Sequence, residues 1–387
     1  MFSSLADDHY HTRLLHSLEV DAIAKRVALL LMEKPNKKDV DVEKVSQIAL
    51  LHDIGHTPFG HVGERTLHNI CSGKKRIKGL PNFKKLEINC GFKHNINSGL
   101  LYIEYLIKTF KSTDAFSEYD AEVIDGIVKH TKVFYNEDEK LYYPMDYLNS
   151  SLPFKIDGDR NARTLEGRIV AFSDEIAQVV SDFKDLSFSK ADITKIRKCA
   201  AFAVADSEDV SIAGSKVAEH LILLLVNQLK KSSDYDDVMS SKFGDELKEF
   251  DIVRSKIIKT DSAISAHDHV KERTIEVLYK YYFDNFLDRE QNAEDYLARI
   301  KRQYVSSSIK NEIDVLNQND IKKYFKKRIV KIVKTKNKNP YSLSNKEIKS
   351  YTKLYRLYVL SVAMYISKMT DGYANHKLEK IIAKKYA

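Results

Sequence analysis

The chain has 387 residues, 43% of them apolar, and a formal net charge of +8, which is enough material for a sizeable core in one large domain or two. With only 13 Gly and 6 Pro among long runs of Leu, Ile, Lys, Glu and Asp, the composition excludes collagenous and low-complexity chains and points to an all-α protein. No apolar run approaches the roughly 18 to 20 residues that cross a bilayer, and Met1 to Asp8 carry no signal-peptide pattern, so a cytoplasmic protein without a membrane partner is expected. Cys71, Cys90 and Cys199 are odd in number and unrelated in spacing, which argues for inert fillers rather than a disulfide framework or a cysteine metal site. The positive charge favours an anionic partner: a nucleotide, a nucleic acid or an acidic neighbouring subunit.

From Leu14 to Met32, apolar residues recur at helical spacing until Pro35, which places His16 on a helix. A second helix runs from Val42 to His52 and gives way at Gly55 and Pro58 to a tight, glycine-permitted turn. A basic loop (Lys74 to Lys85), helices near Asn97 to Lys111 and Asp120 to His130, and a long loop from Tyr135 to Asp159 follow. A helix from about Leu165 to Leu186 completes a core ending near residue 190, and the pattern then stays helical to the C-terminus with breaks at Ser232 to Asp245 and Asn337 to Pro340. Residues 1–190 therefore read as one helical core and 191–387 as a second helical region packed on it. Within the latter, Ile321 to Ser342 holds Lys322, Lys323, Lys326, Lys327, Arg328, Lys331, Lys334, Lys336 and Lys338 with no acidic residue. This amphipathic stretch is either a solvated face or a binding surface for an anion or a subunit.

The stretch "LHDIGHTPFGHVGE", residues 51–64, concentrates three histidines with an aspartate and a glutamate beside a turn. A divalent metal needs several nitrogen and oxygen donors converging on a point, and neutral imidazoles and carboxylates supply them. The pair His52 and Asp53 alone is a weak signal, expected about once by chance in a chain of this size. It gains weight from His16 on the preceding helix and from Asp174 in "FSDEIAQ", an acid that interrupts the apolar face of Ile169, Val170 and Ile176. Gly60 and Gly63 free the backbone to turn two imidazoles toward one cavity.

The segments "TRLLHSLEV", "LLHDIGHTPFGHVGE", "GFKHNINS", "DGIVKHT", "EGRIVAFSDEIAQVVSDFKD" and "YISKMTDGYA" occur in the order found in the dGTPase-type deoxynucleoside triphosphate triphosphohydrolases of the HD-domain superfamily, which the chain resembles from about His9 to Ala374. The resemblance implies an HD-domain helical core with an extended helical C-terminal region. It implies that His16, His52, Asp53 and Asp174 ligate one divalent ion, whether Mn2+, Mg2+, Fe2+, Co2+ or Zn2+. His61 would stand beside the scissile phosphate with Glu64 as its orienting partner, and His56 would line the same catalytic side. His94 would reach the triphosphate, Arg13 would be a phosphate or sugar contact, Tyr143 would match a Tyr-Pro pair at the substrate, and Asp182 would lie near the sugar 3′-hydroxyl. His130 falls inside a family-like segment without an assigned role. A hexameric or tetrameric homo-oligomer is implied, in which the basic stretch meets a neighbour's acids or binds a nucleotide or single-stranded nucleic acid effector.

Three departures bear on substrate choice. Gln178 stands where the family carries a tyrosine packed against the sugar, and Tyr142 replaces the lysine before the Tyr-Pro pair, with Lys140 close by. The chain also starts only a few residues before the first motif, so either the start is truncated or an upstream wall of the pocket is absent. The favoured reading is metal-dependent hydrolysis of (deoxy)nucleoside triphosphates at the α-phosphate, releasing nucleoside and tripolyphosphate. The alternatives are action on ribonucleotides, modified nucleotides or short oligonucleotides, and a non-enzymatic nucleotide- or nucleic-acid-binding scaffold.

Overall fold

A computed structural model describes residues 13–33, 38–110 apart from 85, 87 and 89, 116–132, 143–188 apart from 153, 158 and 160, 194–205, 207–260, 262–303, 317, 320–325 and 345–386. The described residues form α-helices and short 3-10 turns and include no strand, as an all-α chain requires. The helices are α1 (Arg13–Met32), α2 (Val42–Leu51), α3 (Gly60–Cys71), α4 (His94–Phe110), α5 (Glu118–Lys129), α6 (Tyr143–Ser150), α7 (Leu165–Phe188), α8 (Val210–Leu229), α9 (Tyr235–Met239), α10 (Lys242–Thr260), α11 (Ser262–Asn285), α12 (Glu290–Gln303), α13 (Asn345–Ser367) and α14 (Asp371–Tyr386). They sort into two compact units whose segments alternate along the chain.

The first unit takes residues up to Ile54, Ser98–Tyr135 and Ile156–Asp268. In it α7 packs against α1, α2, α5 and α8, so the helix bearing Asp174 is enclosed on several sides. Local chemistry sets the helix ends. Asp41 caps α2 by accepting the Lys44 N–H at 3.0 Å, and Ser117 and Asp120 form a reciprocal capping box on α5. Gly126 and Gly167 then let helices approach closely: a Cβ on Gly126 would stand 2.7 Å from Ile48, and one on Gly167 would stand 3.0 Å from the Gly126 Cα. Ile48 lies one turn before His52, Gly126 one turn before His130, and Gly167 two turns before Asp174, so this contact draws three donor-bearing segments together.

Helix α8 departs from expectation. Its 20 residues, with a mean hydropathy of 1.4, are long and apolar enough to span a bilayer by length and composition. Ala213, Val217, Leu221, Leu225 and Leu229 are nevertheless buried against α1 and α7, and Lys216, Glu219 and His220 interrupt the rest, which is the pattern of a core helix.

The second unit takes Gly55–Asn97, Asn136–Lys155 and residues from His269 onward. Its centre is aromatic: Tyr279, Phe283, Phe286, Tyr296, Phe325, Tyr355 and Tyr358 pack mostly edge to face, with Phe325 and Tyr358 centroids 4.0 Å apart. Buried tyrosines bring hydroxyls that seek partners, and three of these four donate to backbone carbonyls: Tyr296 to Leu354 at 2.9 Å, Tyr279 to Val359 at 3.2 Å and Tyr358 to Phe283 at 2.7 Å, while the Tyr355 hydroxyl makes no hydrogen bond among the described residues. Cys71 and Cys90 sit in this unit and Cys199 in the first; all three are free and buried, and burial pushes the Cys71 thiol up to about 12. They are fillers, as their spacing implied.

Three helices stand where turns, loops and breaks were expected, the shortest being α9, which with the start of α10 at Lys242 fills the expected break at Ser232 to Asp245. The reading at residues 55–64 saw only the glycine-rich turn, but α3 starts at Gly60. Gly60 has φ 59°, the left-handed region, whereas Gly63 lies inside the helix and is needed for a different reason: a Cβ there would sit 1.9 Å from the Pro58 carbonyl oxygen. Within the expected loop at 135–159, α6 forms with Pro144 in its first turn, where a missing N–H costs nothing. Gly63→Ala is therefore expected to destabilise the second unit by about 1–3 kcal/mol, read as a lower melting temperature by circular dichroism, with the helical content below the transition retained.

Candidate functional site

His52 closes the C-terminal end of α2, where the helix spins its ring inward; the side chain is fully buried and its Nδ1 donates to the Ala49 carbonyl at 2.6 Å. That bond fixes the tautomer and leaves Nε2 as a lone-pair donor. Nε2 has no hydrogen-bond partner; it lies 3.7 Å from Asp174 Oδ1 and 3.9 Å from Asp53 Oδ2. His16, from α1, places its Nε2 2.9 Å from the same Asp174 oxygen. One donor atom each from His16, His52 and Asp53 lie within 4.8 Å of one another, and so do donors from His52, His130 and Asp174. A buried imidazole nitrogen without a partner, facing two carboxylates at non-bonded distances, is the donor set a divalent cation fits.

The electrostatics agree. Burial alone would drive the His52 pKa down, but the charge of Asp53, the contact with Asp174 and the Ala49 carbonyl raise it to about 9. His16 is likewise raised against its burial, chiefly by Asp174 and then by Asp53. Asp174 is held well below the usual carboxylate range, because His16 and His52 outweigh its desolvation.

His130 belongs to this cluster, although it stood in a family-like segment without an assigned role. It repeats the His52 arrangement at the end of α5: Nδ1 donates to Ile127 O at 2.7 Å, and Nε2 turns toward Asp53 Oδ1 at 3.9 Å. The two rings meet edge on, with centroids 4.9 Å apart. The sequence signal was a histidine directly after an apolar helix end, "ALLHD" and "IVKHT" alike.

A second cluster lies in the second unit. Glu64 on α3 is buried and accepts the His94 backbone N–H at 3.3 Å; its carboxylate also stands 3.1 Å from His94 Nδ1, 3.4 Å from Lys93 Nζ and 3.6 Å from His61 Nδ1. Burial favours the neutral acid, but His94, His61 and Lys93 hold Glu64 well below the usual range and keep it ionised. His94 stacks on His56 with centroids 4.6 Å apart. His61 alone among these side chains is open to solvent, at 63% exposure. The nearest imidazole to Glu64 is thus His94 rather than His61, and Lys93 joins a set in which it had not been foreseen.

The remaining expected residues are spread out. Arg13 opens α1, half-buried, one turn before His16, and Gln178 is half-buried one turn after Asp174 on α7. Asp182 is fully buried and accepts from the Arg254 guanidinium of α10. The side chain of Tyr143, together with Lys140, Tyr142 and residues 326–342 of the basic stretch, lies outside the described residues; of that stretch, Ile321 and Phe325 are buried and Lys322 pairs with Asp288.

The family model for the HD domain matches residues 13–178, the span that carries His16, His52, Asp53, His130 and Asp174. The resemblance to the dGTPase type holds in the curated relatives too. The deoxyguanosinetriphosphate triphosphohydrolase-like protein of Rickettsia canadensis (strain McKiel) is 34% identical over 185 residues, 48% of this chain and 41% of that protein. The protein of the same name from Geobacter metallireducens is 31% identical over 185 residues, 48% of this chain and 38% of that protein. A third, from Clostridium tetani, is 34% identical over 178 residues, 46% of this chain and 37% of that protein. The matched stretch of this chain thus spans about two fifths of the length of these relatives.

In the metal-free fold, the raised pKa of His52 means that the native state holds a proton the unfolded chain has released between the ordinary histidine value of 6.5 and about 9, and His16 is raised in the same direction. That stabilisation is complete below about 6.5 and is lost as pH rises through about 9, so the melting temperature of metal-free protein is expected to fall over this range. A divalent ion must displace the same protons, so its affinity runs the other way. Calorimetric titration with Mn2+ is expected to show tighter binding at higher pH, with protons released. His130→Gln is expected to weaken that binding by about 10- to 100-fold, the range for residues that orient metal ligands, with the melting temperature of the metal-free protein changed far less than by His52→Gln.

Proposed function

We propose that the protein is a metal-dependent phosphohydrolase that cleaves deoxynucleoside triphosphates at the α-phosphate, giving nucleoside and tripolyphosphate. The observation that carries this reading is the buried donor set of the HD domain, with His52 Nε2 unpartnered and turned toward two carboxylates. The printed names of the relatives supply the substrate class.

His16, His52, Asp53 and Asp174 would hold the ion, with His130 supporting Asp53. When bound, a divalent ion there neutralises phosphoryl charge and lowers the pKa of water. The other contributions come from the chain itself. Glu64, kept ionised, stands 3.6 Å from His61 Nδ1, and Nε2 of that solvent-open ring would pass a proton. In the hydrolysis a water oxygen bonds to the α-phosphorus as the bond from phosphorus to the 5′-oxygen breaks, and His61 delivers the proton that the departing 5′-oxygen needs. Lys93 and His94, both buried, place cationic charge beside Glu64, a region suited to an anionic substrate once the carboxylate is matched.

A second reading keeps the reaction and relaxes the sugar. Gln178 offers an amide where an aromatic ring would exclude a 2′-hydroxyl, and discrimination of one hydroxyl in an apolar pocket is only about a hundredfold effect. Asp182 is engaged by Arg254, which favours the same relaxation. A panel of dNTPs and NTPs with Mn2+ or Mg2+, read by product chromatography, tests both. Tripolyphosphate with deoxynucleoside is expected; equal turnover of NTPs supports the second reading, and release of single phosphates or silence with every metal removes both. His61→Ala is expected to lose at least about 100-fold in turnover while keeping metal, a loss typical of a missing proton donor, whereas Asp53→Ala loses metal and turnover together.

A further inference from the structure

The C-terminal "KMTDG" segment has no part in the clusters described above, yet it reaches back to the glycine-rich turn. Phe59 is the one described non-glycine residue with positive φ, at φ 63° and ψ 27°, and it sits immediately before α3 with no side-chain cap. A left-handed phenylalanine persists only where its surroundings over-determine it. Its backbone N–H donates to Asp371 Oδ1 at 3.0 Å across 312 residues of sequence. Thr370 caps α14, its hydroxyl accepting the Tyr373 N–H at 3.2 Å and its carbonyl accepting the Ala374 N–H at 2.9 Å.

The same turn is held at two other points of the second unit. Asn97 Nδ2 donates to Gly55 O at 2.7 Å and to Ser367 Oγ at 2.8 Å, and the Thr57 hydroxyl donates to Gly60 O at 2.9 Å. Gly55 is therefore anchored from the end of α13, and Phe59 from the start of α14. His61 follows Phe59 by two residues and occupies the exposed side of the first turn of α3, while Glu64 is held independently by His94 and Lys93. His61 and Glu64 share α3, so their 3.6 Å approach is set within that helix, whereas the direction in which its first turn leaves the glycine-rich turn is set by the backbone angles at Phe59 and Gly60.

We propose that Asp371 is a positioning residue: by accepting the Phe59 N–H it fixes the left-handed entry to α3 and thereby the placement of the first turn that carries His61. The role it serves in turnover rests on the phosphohydrolase reading. The position of its partner does not.

Full-length Asp371→Ala and Asp371→Asn proteins test it, the asparagine keeping an oxygen acceptor at the same reach. In Asp371→Ala, hydrogen exchange at the Phe59 amide is expected to accelerate and the His61 imidazole resonances to move. Its kcat on the best nucleotide of the panel should fall by about 10- to 100-fold, as for a sub-ångström to ångström misplacement of a reacting group, with KM within about twofold and Mn2+ affinity unchanged. Asp371→Asn is expected to restore exchange protection, resonances and kcat. Unchanged Phe59 exchange or unchanged kcat in Asp371→Ala overturns the proposal, as does a loss that Asp371→Asn fails to repair. Should Asp371→Ala not fold, the asparagine protein decides alone: unprotected Phe59 in a folded Asp371→Asn chain sinks the assignment. If the wild-type chain hydrolyses no nucleotide, the functional reading falls, and exchange and imidazole resonances still settle where Asp371 acts.

Discussion

The first unit is organised around a charge imbalance that its own fold creates. Asp53 and Asp174 bring two negative charges into a buried region, where the low dielectric makes isolated charge costly and charge pairs strong. The imidazoles of His16, His52 and His130 stand near enough to answer these two charges. An imidazole can answer a carboxylate in two ways, by taking a proton or by sharing a cation. Without an ion the first is forced, which is why His16 and His52 rise in pKa while Asp174 falls. With an ion the second becomes available, and the same atoms exchange protons for metal.

The helix geometry serves that exchange. His52 and His130 both end helices, and both tie Nδ1 to the carbonyl three residues back, so each ring is held in one tautomer before anything binds. Preorganisation of this kind removes the cost of orienting ligands later. The glycine contacts at Gly126 and Gly167 do the coarser work, because a methyl group at either place would push α2, α5 and α7 apart. The donors are thus positioned at two scales: helix spacing by missing side chains, ring orientation by backbone carbonyls.

Much of this was legible in the chain, and the unread parts share a cause. Apolar periodicity located α1, α2, α4, α5 and α7, since each buries one face and the period shows. It missed α3 and α6, whose glycines and proline are locally unfavourable to a helix and are explained only by tertiary facts: the Pro58 carbonyl pressed on Gly63, and Pro144 falling in a first turn. His16, His52, Asp53 and Asp174 could be named because spacing and resemblance coincide on them. His130 and Lys93 could not, because a residue whose function is to orient or neutralise a neighbour has no local pattern of its own. The alternation of the two units along the chain is invisible for the same reason, being a property of contacts between distant segments.

The second unit solves a different problem, that of presenting one imidazole to solvent while its partners stay buried. Glu64 is fixed from three sides, and its ionisation is secured by His94 and Lys93 as much as by His61. That leaves His61 as the mobile member, exposed and attached to Glu64 by a long contact. Rigidity must then come from the backbone beneath it, and the backbone there is left-handed at both Phe59 and Gly60. Glycine adopts that region at no steric cost, but phenylalanine does so at about 1–2 kcal/mol. The strain is tolerable because the Phe59 ring is buried and its amide is satisfied. A glycine at 59 would relieve the angle and forfeit both the ring's packing and the narrow choice of backbone states, so the more strained residue is the one that holds the turn in a single conformation.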